Sequence, residues 1–175
     1  DIFGNAVRDR LNSFNLDGTG YASVDNNSSI KPTNALSIEC WIKTSDVSVT
    51  SKYISDADLG ATRFFLMQVG SKARFKIATT EIDSAANLTD NTWHYIAGTW
   101  DGSTMTLYVD ERTPVTASKS GAITYDSDDL FIGSRLGLNE KFNGLISDVR
   151  LYDRALSATE VENNYNAGLS AHTNN

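Results

Sequence analysis

A single cysteine, Cys40, rules out any disulfide within the chain. The fold must therefore rest on a packed core, and 175 residues are enough for one domain that has one. Cys40 lies in the segment 36–43, LSIECWIK, whose even-numbered apolar residues share one face. In that setting it reads as a small buried hydrophobe. A catalytic thiol would need one of only two histidines, His94 or His172, and His172 stands in a polar end segment.

Other absences narrow the function. No apolar run approaches the ~20 residues of a membrane-spanning helix. Basic residues are outnumbered, 15 against 22 acidic, and the net charge of -7 speaks against a nucleic-acid partner. The chain opens at Asp1 with no basic-and-apolar leader, and is expected to be a processed protein or a piece of a larger one. No Ser–His–Asp pattern, phosphate loop or zinc-ligand spacing is present.

What remains is dense in short alternating segments. Strands are predicted at 12–16, 21–24, 36–43, 53–55, 63–69, 73–78, 93–100, 104–109, 130–133 and 142–152. Between them stand turn signals such as Asp17-Gly18, Gly70-Ser71, Asp101-Gly102 and Gly121. This spacing predicts an all-β, two-sheet antiparallel sandwich. The clearest hairpin joins 93–100 to 104–109 through Asp101-Gly102. A two-residue loop would set Ile96 opposite Leu107 and Tyr95 opposite Tyr108. The aliphatic face (Ile96, Met105, Leu107, Val109) is then the core, and the face with Trp93, Tyr95 and Tyr108 is half-exposed.

The segment 142–168 predicts a strand, then a helix. Ser157 and Glu160 have capping-box spacing. Leu156, Val161 and Tyr165 form a small apolar stripe, and Gly168 is the expected stop. One domain is thus expected over 1–168, with a flexible polar tail over 169–175. Asp148 and Arg150 are charges inside a strand-like run. They call for a salt bridge, a metal or a wet face.

Several stretches together resemble the laminin-G-like (LamG-like) domains of the concanavalin A-like lectin/glucanase jelly-roll superfamily. They are FNLDGTGYASV at 14–24, LSIECWIK at 36–43, TWHYIAGTWDGSTMTLYVDE at 92–111, FIGS at 131–134 and FNGLISDVRLYDRALSATEVENNYNAG at 142–168. The resemblance covers roughly residues 12–168. One departure is Glu111, which stands where a glycine usually closes the second hairpin strand. The resemblance implies a jelly-roll sandwich with one concave sheet and one short C-terminal helix. It also implies a structural Ca2+ joining the last-strand aspartate to early loops, which maps onto Asp148 and Asp17.

Three functional expectations follow. Trp93, Tyr95 and Tyr108 could present aromatic faces to a sugar, making this a non-enzymatic binding or adhesion domain. Its partner would be a glycan or a surface protein, on the outside of a cell or virion. The alternative is a structural decoration module that self-assembles or packs against virion or filament neighbours. A more distant alternative is a degenerate β-glucan hydrolase. Glu81-Ile82-Asp83 matches the first two carboxylates of the laminarinase-type Glu-x-Asp-x-x-Glu pattern, but Ala86 takes the third position.

Overall fold

The structure, a computed structural model, describes residues 2–3, 7–8, 13–47, 50–57 and 62–173. Two seven-stranded antiparallel sheets face each other. The first runs β1 (Ile2–Phe3), β4 (Tyr21–Val24), β13 (Leu130–Ile132), β6 (Ser51–Ala57), β7 (Thr62–Val69), β8 (Lys72–Ile77) and β9 (Thr80–Asp83). The second runs β12 (Val115–Ser118), β11 (Thr104–Val109), β10 (Trp93–Trp100), β5 (Leu36–Lys43), β14 (Asn143–Tyr152), β3 (Phe14–Asp17) and β2 (Val7–Arg8). The predicted strands are present, together with four short ones the pattern did not announce: β1, β2, β9 and β12. Asn12, the expected start of the first strand, lies outside the described residues. Among the described residues no helix is long and apolar enough to cross a membrane.

The core fills the space between the sheets. From β5 it takes Leu36, Ile38, Cys40 and Ile42; from β7 and β8, Phe64, Leu66, Ala73, Phe75 and Ile77; from the hairpin, Ile96, Met105, Leu107 and Val109. Each such aliphatic or aromatic side chain contributes about 1.5–3 kcal/mol when fully buried. Burial pushes the Cys40 thiol well above its ordinary value, so it is an inert core residue. At Gly98, in mid-strand β10, the Phe75 ring of the opposite sheet packs where a side chain would stand; a Cβ would meet it at 2.7 Å. Gly98→Ala is therefore expected to lose about 1–3 kcal/mol in urea unfolding through overpacking. Unchanged stability would refute this close fit.

The hairpin register differs from expectation. Ile96 pairs with Val109 and Ala97 with Tyr108. Asp101 lengthens the loop by accepting from Ser103 N (2.8 Å), Ser103 Oγ (2.8 Å) and Thr104 N (2.7 Å). The shift is two residues, so the two faces keep their identities.

The larger correction concerns the other face. Trp93 and Tyr95 are not half-exposed; they are buried beneath the helix α1 (Ala158–Thr173). The capping box forms as predicted, with Glu160 N donating to Ser157 Oγ (3.3 Å) and Ser157 N to Glu160 Oε2 (2.8 Å). Gly168 does not end the helix, and 169–173 is helical rather than a loose tail. The glycine serves close approach instead: a Cβ there would sit 2.5 Å from Trp41 Nε1. His172, four residues on, is buried and stacks on Trp41 with ring centroids 4.3 Å apart.

Candidate functional site

The outer face of the second sheet is organised around a buried carboxylate. Glu39 on β5 is fully buried. It accepts from Tyr95 Oη (2.5 Å), Arg150 Nη1 (2.8 Å), Tyr152 Oη (3.3 Å) and Asn164 Nδ2 (3.1 Å to each oxygen). This accounts for the charges inside the last strand. A bulge between Ser147 and Arg150 brings Arg150 opposite Glu39, while Asp148, at φ 50°, lies 3.8 Å from Arg150 and 3.8 Å from His172. Burial works against the Arg150 charge, but hydrogen bonding and attraction to Glu39 outweigh it and hold its pKa above the ordinary value. Burial and the Glu39 contact push the Tyr95 phenol up. Tyr95 is thus a strut under the helix, not part of an exposed sugar platform.

Beside this staple, the C-terminal half of α1 and the rim of the hairpin enclose a groove of about 340 Å³. Trp93 and Trp41 line its sheet side, Tyr165, Leu169 and Thr173 its helix side, and His94, Asp110, Glu111 and Arg112 its rim. Of the three proposed platform residues only Trp93 reaches it, and it is 9% exposed. Tyr108 is half-buried and packs against the helix cluster without lining the groove.

His94 is held between two carboxylates. Its Nδ1 lies 2.8 Å from Asp110 Oδ2 and its Nε2 3.0 Å from Asp90 Oδ1. Asp110 also accepts from Tyr95 N through Oδ1 (2.9 Å), so the rim is tied to the sheet. Burial lowers the His94 pKa, but the two carboxylates outweigh it and leave the pKa raised. Hydrogen bonds from Thr92, partly opposed by desolvation, hold Asp90 down at about 2.

The signs fix a pH dependence. The raised His94 contributes stability that is complete below its unfolded value of 6.5 and lost as pH rises through the folded one. The depressed Asp90 contributes stability above 3.8 that is lost as pH falls towards 2. Asp56, buried in β6 and raised to about 6, has largely ionised by neutrality and adds little change above it. The melting temperature is therefore expected to fall as pH rises above about 6.5, and His94→Gln is expected to flatten that slope. An equal slope in both proteins would discount the His94 clamp.

The two proposed calcium ligands do not converge. Asp17 pairs across the sheet with Asn143, and Asp148 lies five residues further along β14. That separation is on the order of 15 Å, whereas one calcium holds its oxygens at about 2.3–2.6 Å. Asp17 instead closes its turn, accepting from Thr19 N (2.9 Å) and Thr19 Oγ1 (2.7 Å). It lines a second, polar cleft of about 240 Å³ with Thr44, Asp46, Asn91 and Asn143. A calcium shared by Asp17 and Asp148 does not fit these positions. Among the described residues no group of three or more His, Cys, Asp or Glu converges as a metal site.

The glycosidase-like half-signature is likewise occupied. Arg74 binds both carboxylates, Asp83 at 2.6 Å and Glu81 at 2.8 Å, and Lys76 reaches Glu81 at 3.1 Å. The Arg74 hydrogen bond holds Asp83 below the ordinary carboxylate range, and Ala86 is buried in the core. Both carboxyls are thus engaged by the Arg74 guanidinium.

A sandwich of two antiparallel sheets with an aromatic-lined groove beside a C-terminal helix defines a lectin-type jelly roll. Residues 16–162 match the family model Laminin_G_3, described as the concanavalin A-like lectin/glucanases superfamily, and the chain belongs to that family. No curated protein sequence matches it. Solved structures share the fold at low identity. The binding domain of botulinum neurotoxin DC in complex with SialylT aligns with a TM-score of 0.75 at 14% identity, over 95% of this chain and 45% of that one. The same toxin's binding domain in complex with rat synaptotagmin II gives 0.74 at 14%, over 95% and 46%. The binding domain of Paraclostridial Mosquitocidal Protein 1 gives 0.73 at 17%, over 95% and 47%. The chain thus spans less than half the length of these neighbours.

Proposed function

We propose that this domain is a non-enzymatic binding module that recognises a saccharide in the groove between α1 and the hairpin rim, on the outside of a cell or virus particle. The observation that carries this reading is the groove itself. It offers the half-buried Tyr165 and Leu169 as apolar surface, and Asp110, Glu111, Arg112 and Thr173 as directional polar groups. The occupied state of Glu81 and Asp83 favours binding over hydrolysis. The neighbours' descriptions agree in kind, since they name binding domains, one with SialylT and one with a protein.

The test is a glycan array followed by titration of the best hit. Tyr165→Ala is expected to weaken binding about tenfold or more, since one aromatic contact is worth on the order of 1 kcal/mol beyond its buried area. A wild-type domain that binds no saccharide at millimolar concentration would favour the structural-appendage alternative. Equal binding by Tyr165→Ala would move the site elsewhere.

A further inference from the structure

The rim of the groove is acidic in a way that selects among saccharides. Asp110 and Glu111 are adjacent in sequence and both line it. Asp110 is held at φ 50°, and each of its oxygens already accepts one hydrogen bond, from Tyr95 N and from His94. Its side chain stays 19% exposed, so lone pairs remain for a ligand. Glu111 is exposed and makes no side-chain hydrogen bond or ion pair among the described residues. Tyr165 faces both carboxylates across the groove: burial first, and then the charges of Asp110 and Glu111, push its phenol up. Two groups on the rim oppose them: Arg112, which is exposed and makes no side-chain hydrogen bond or ion pair among the described residues, and the His94 ring, whose raised pKa keeps it largely protonated at about pH 6. Asp90 offsets the His94 ring behind the rim. Counting Asp90, three carboxylates face two cations, and Glu111 is the carboxylate that neither cation engages.

We propose that the groove takes an amine-bearing saccharide, its ammonium held between Asp110 and Glu111 and its ring laid against Tyr165, and that it disfavours acidic sugars. The proposal rests on reading the groove as a saccharide site. An ammonium gains twice there, from the carboxylates and from the aromatic face. A carboxylated or sulfated sugar meets like charge.

Titration calorimetry at about pH 6 with a glucosamine tetramer and its fully N-acetylated counterpart separates the outcomes, because the two ligands differ only in the amine. The free amine is expected to bind about tenfold tighter, a preference that shrinks in high salt. Glu111→Gln is expected to cut that preference about threefold or more without changing the melting temperature, because Glu111 holds no other residue. Equal or tighter binding of the N-acetylated tetramer, or of a sialylated oligosaccharide used as the anionic control, overturns the amine preference and leaves saccharide binding intact. Failure of every ligand to bind overturns both.

Discussion

Glu39→Ala is expected to lose about 2–4 kcal/mol of folding stability, because the buried Tyr95 hydroxyl is left without its acceptor and the half-exposed Arg150 loses its charged partner. In a chain of this length that lowers the melting temperature by roughly 10 °C. Glu39 is fully buried and is the common acceptor of Tyr95, Arg150, Tyr152 and Asn164. Removing it strands the buried Tyr95 hydroxyl beneath the helix, while the half-exposed Arg150 turns to water. The effect is directional: Asn164 belongs to α1 and Arg150 to β14, so the carboxylate fastens the helix to the sheet. Glu39→Gln, which keeps the shape and one acceptor, is expected to lose less. Chemical unfolding monitored by tryptophan fluorescence measures both. A Glu39→Ala loss below about 1 kcal/mol would mean that the hydrophobic contacts of the helix suffice without the staple.

Gly168→Val is expected to be nearly as severe and to act on binding as well. Helix propensity alone favours valine over glycine by a few tenths of a kcal/mol. Packing opposes it strongly, because a Cβ at this position would lie 2.5 Å from Trp41 Nε1 and 2.9 Å from Trp41 Cε2. The indole cannot retreat: it lies between the stacked rings of Tyr165, 5.6 Å away, and His172, 4.3 Å away. The helix must lift, at a cost of about 3 kcal/mol. Tyr165, Leu169 and Thr173 move with it, and they are one wall of the groove. The expected signature is a red-shifted tryptophan emission together with weakened saccharide binding. A Gly168→Val protein as stable as the wild type, with unshifted emission, would contradict the close contact.

The legible parts of this molecule are those governed by local pattern. Alternation in LSIECWIK assigned Leu36, Ile38, Cys40 and Ile42 to one face, and they form one core. The hairpin faces survived a wrong loop length because the slip was even. Ser157 and Glu160 marked the helix start because capping is settled within one turn. The illegible parts depend on what covers what. Alternation shows that Trp93 and Tyr95 share a face but does not reveal that α1 lies on it. A glycine near a helix end reads as a stop; only Trp41 makes it a contact point. The spacing Val161, Tyr165, Gly168 and His172 could have carried the helix further, had His172 been counted with the apolar stripe.

The candidate site divides in the same way. Trp93 was visible as an aromatic on a hairpin strand. The rim was not, because His94 on the inward-facing register reads as core and Asp110 reads as a strand end. Glu111 was the one visible signal, as a departure from the glycine otherwise found there. By itself the sequence determined the family, the two-sheet sandwich, the core faces and the capped helix, all properties of short periods and nearest neighbours. Only the tertiary structure decided that Arg150 pairs with Glu39, that Asp17 and Asp148 stand apart, and that a groove opens between α1 and the hairpin. Those outcomes depend on which residues distant in the chain meet across a buried face, and burial decides whether a charge is a staple or a binding group.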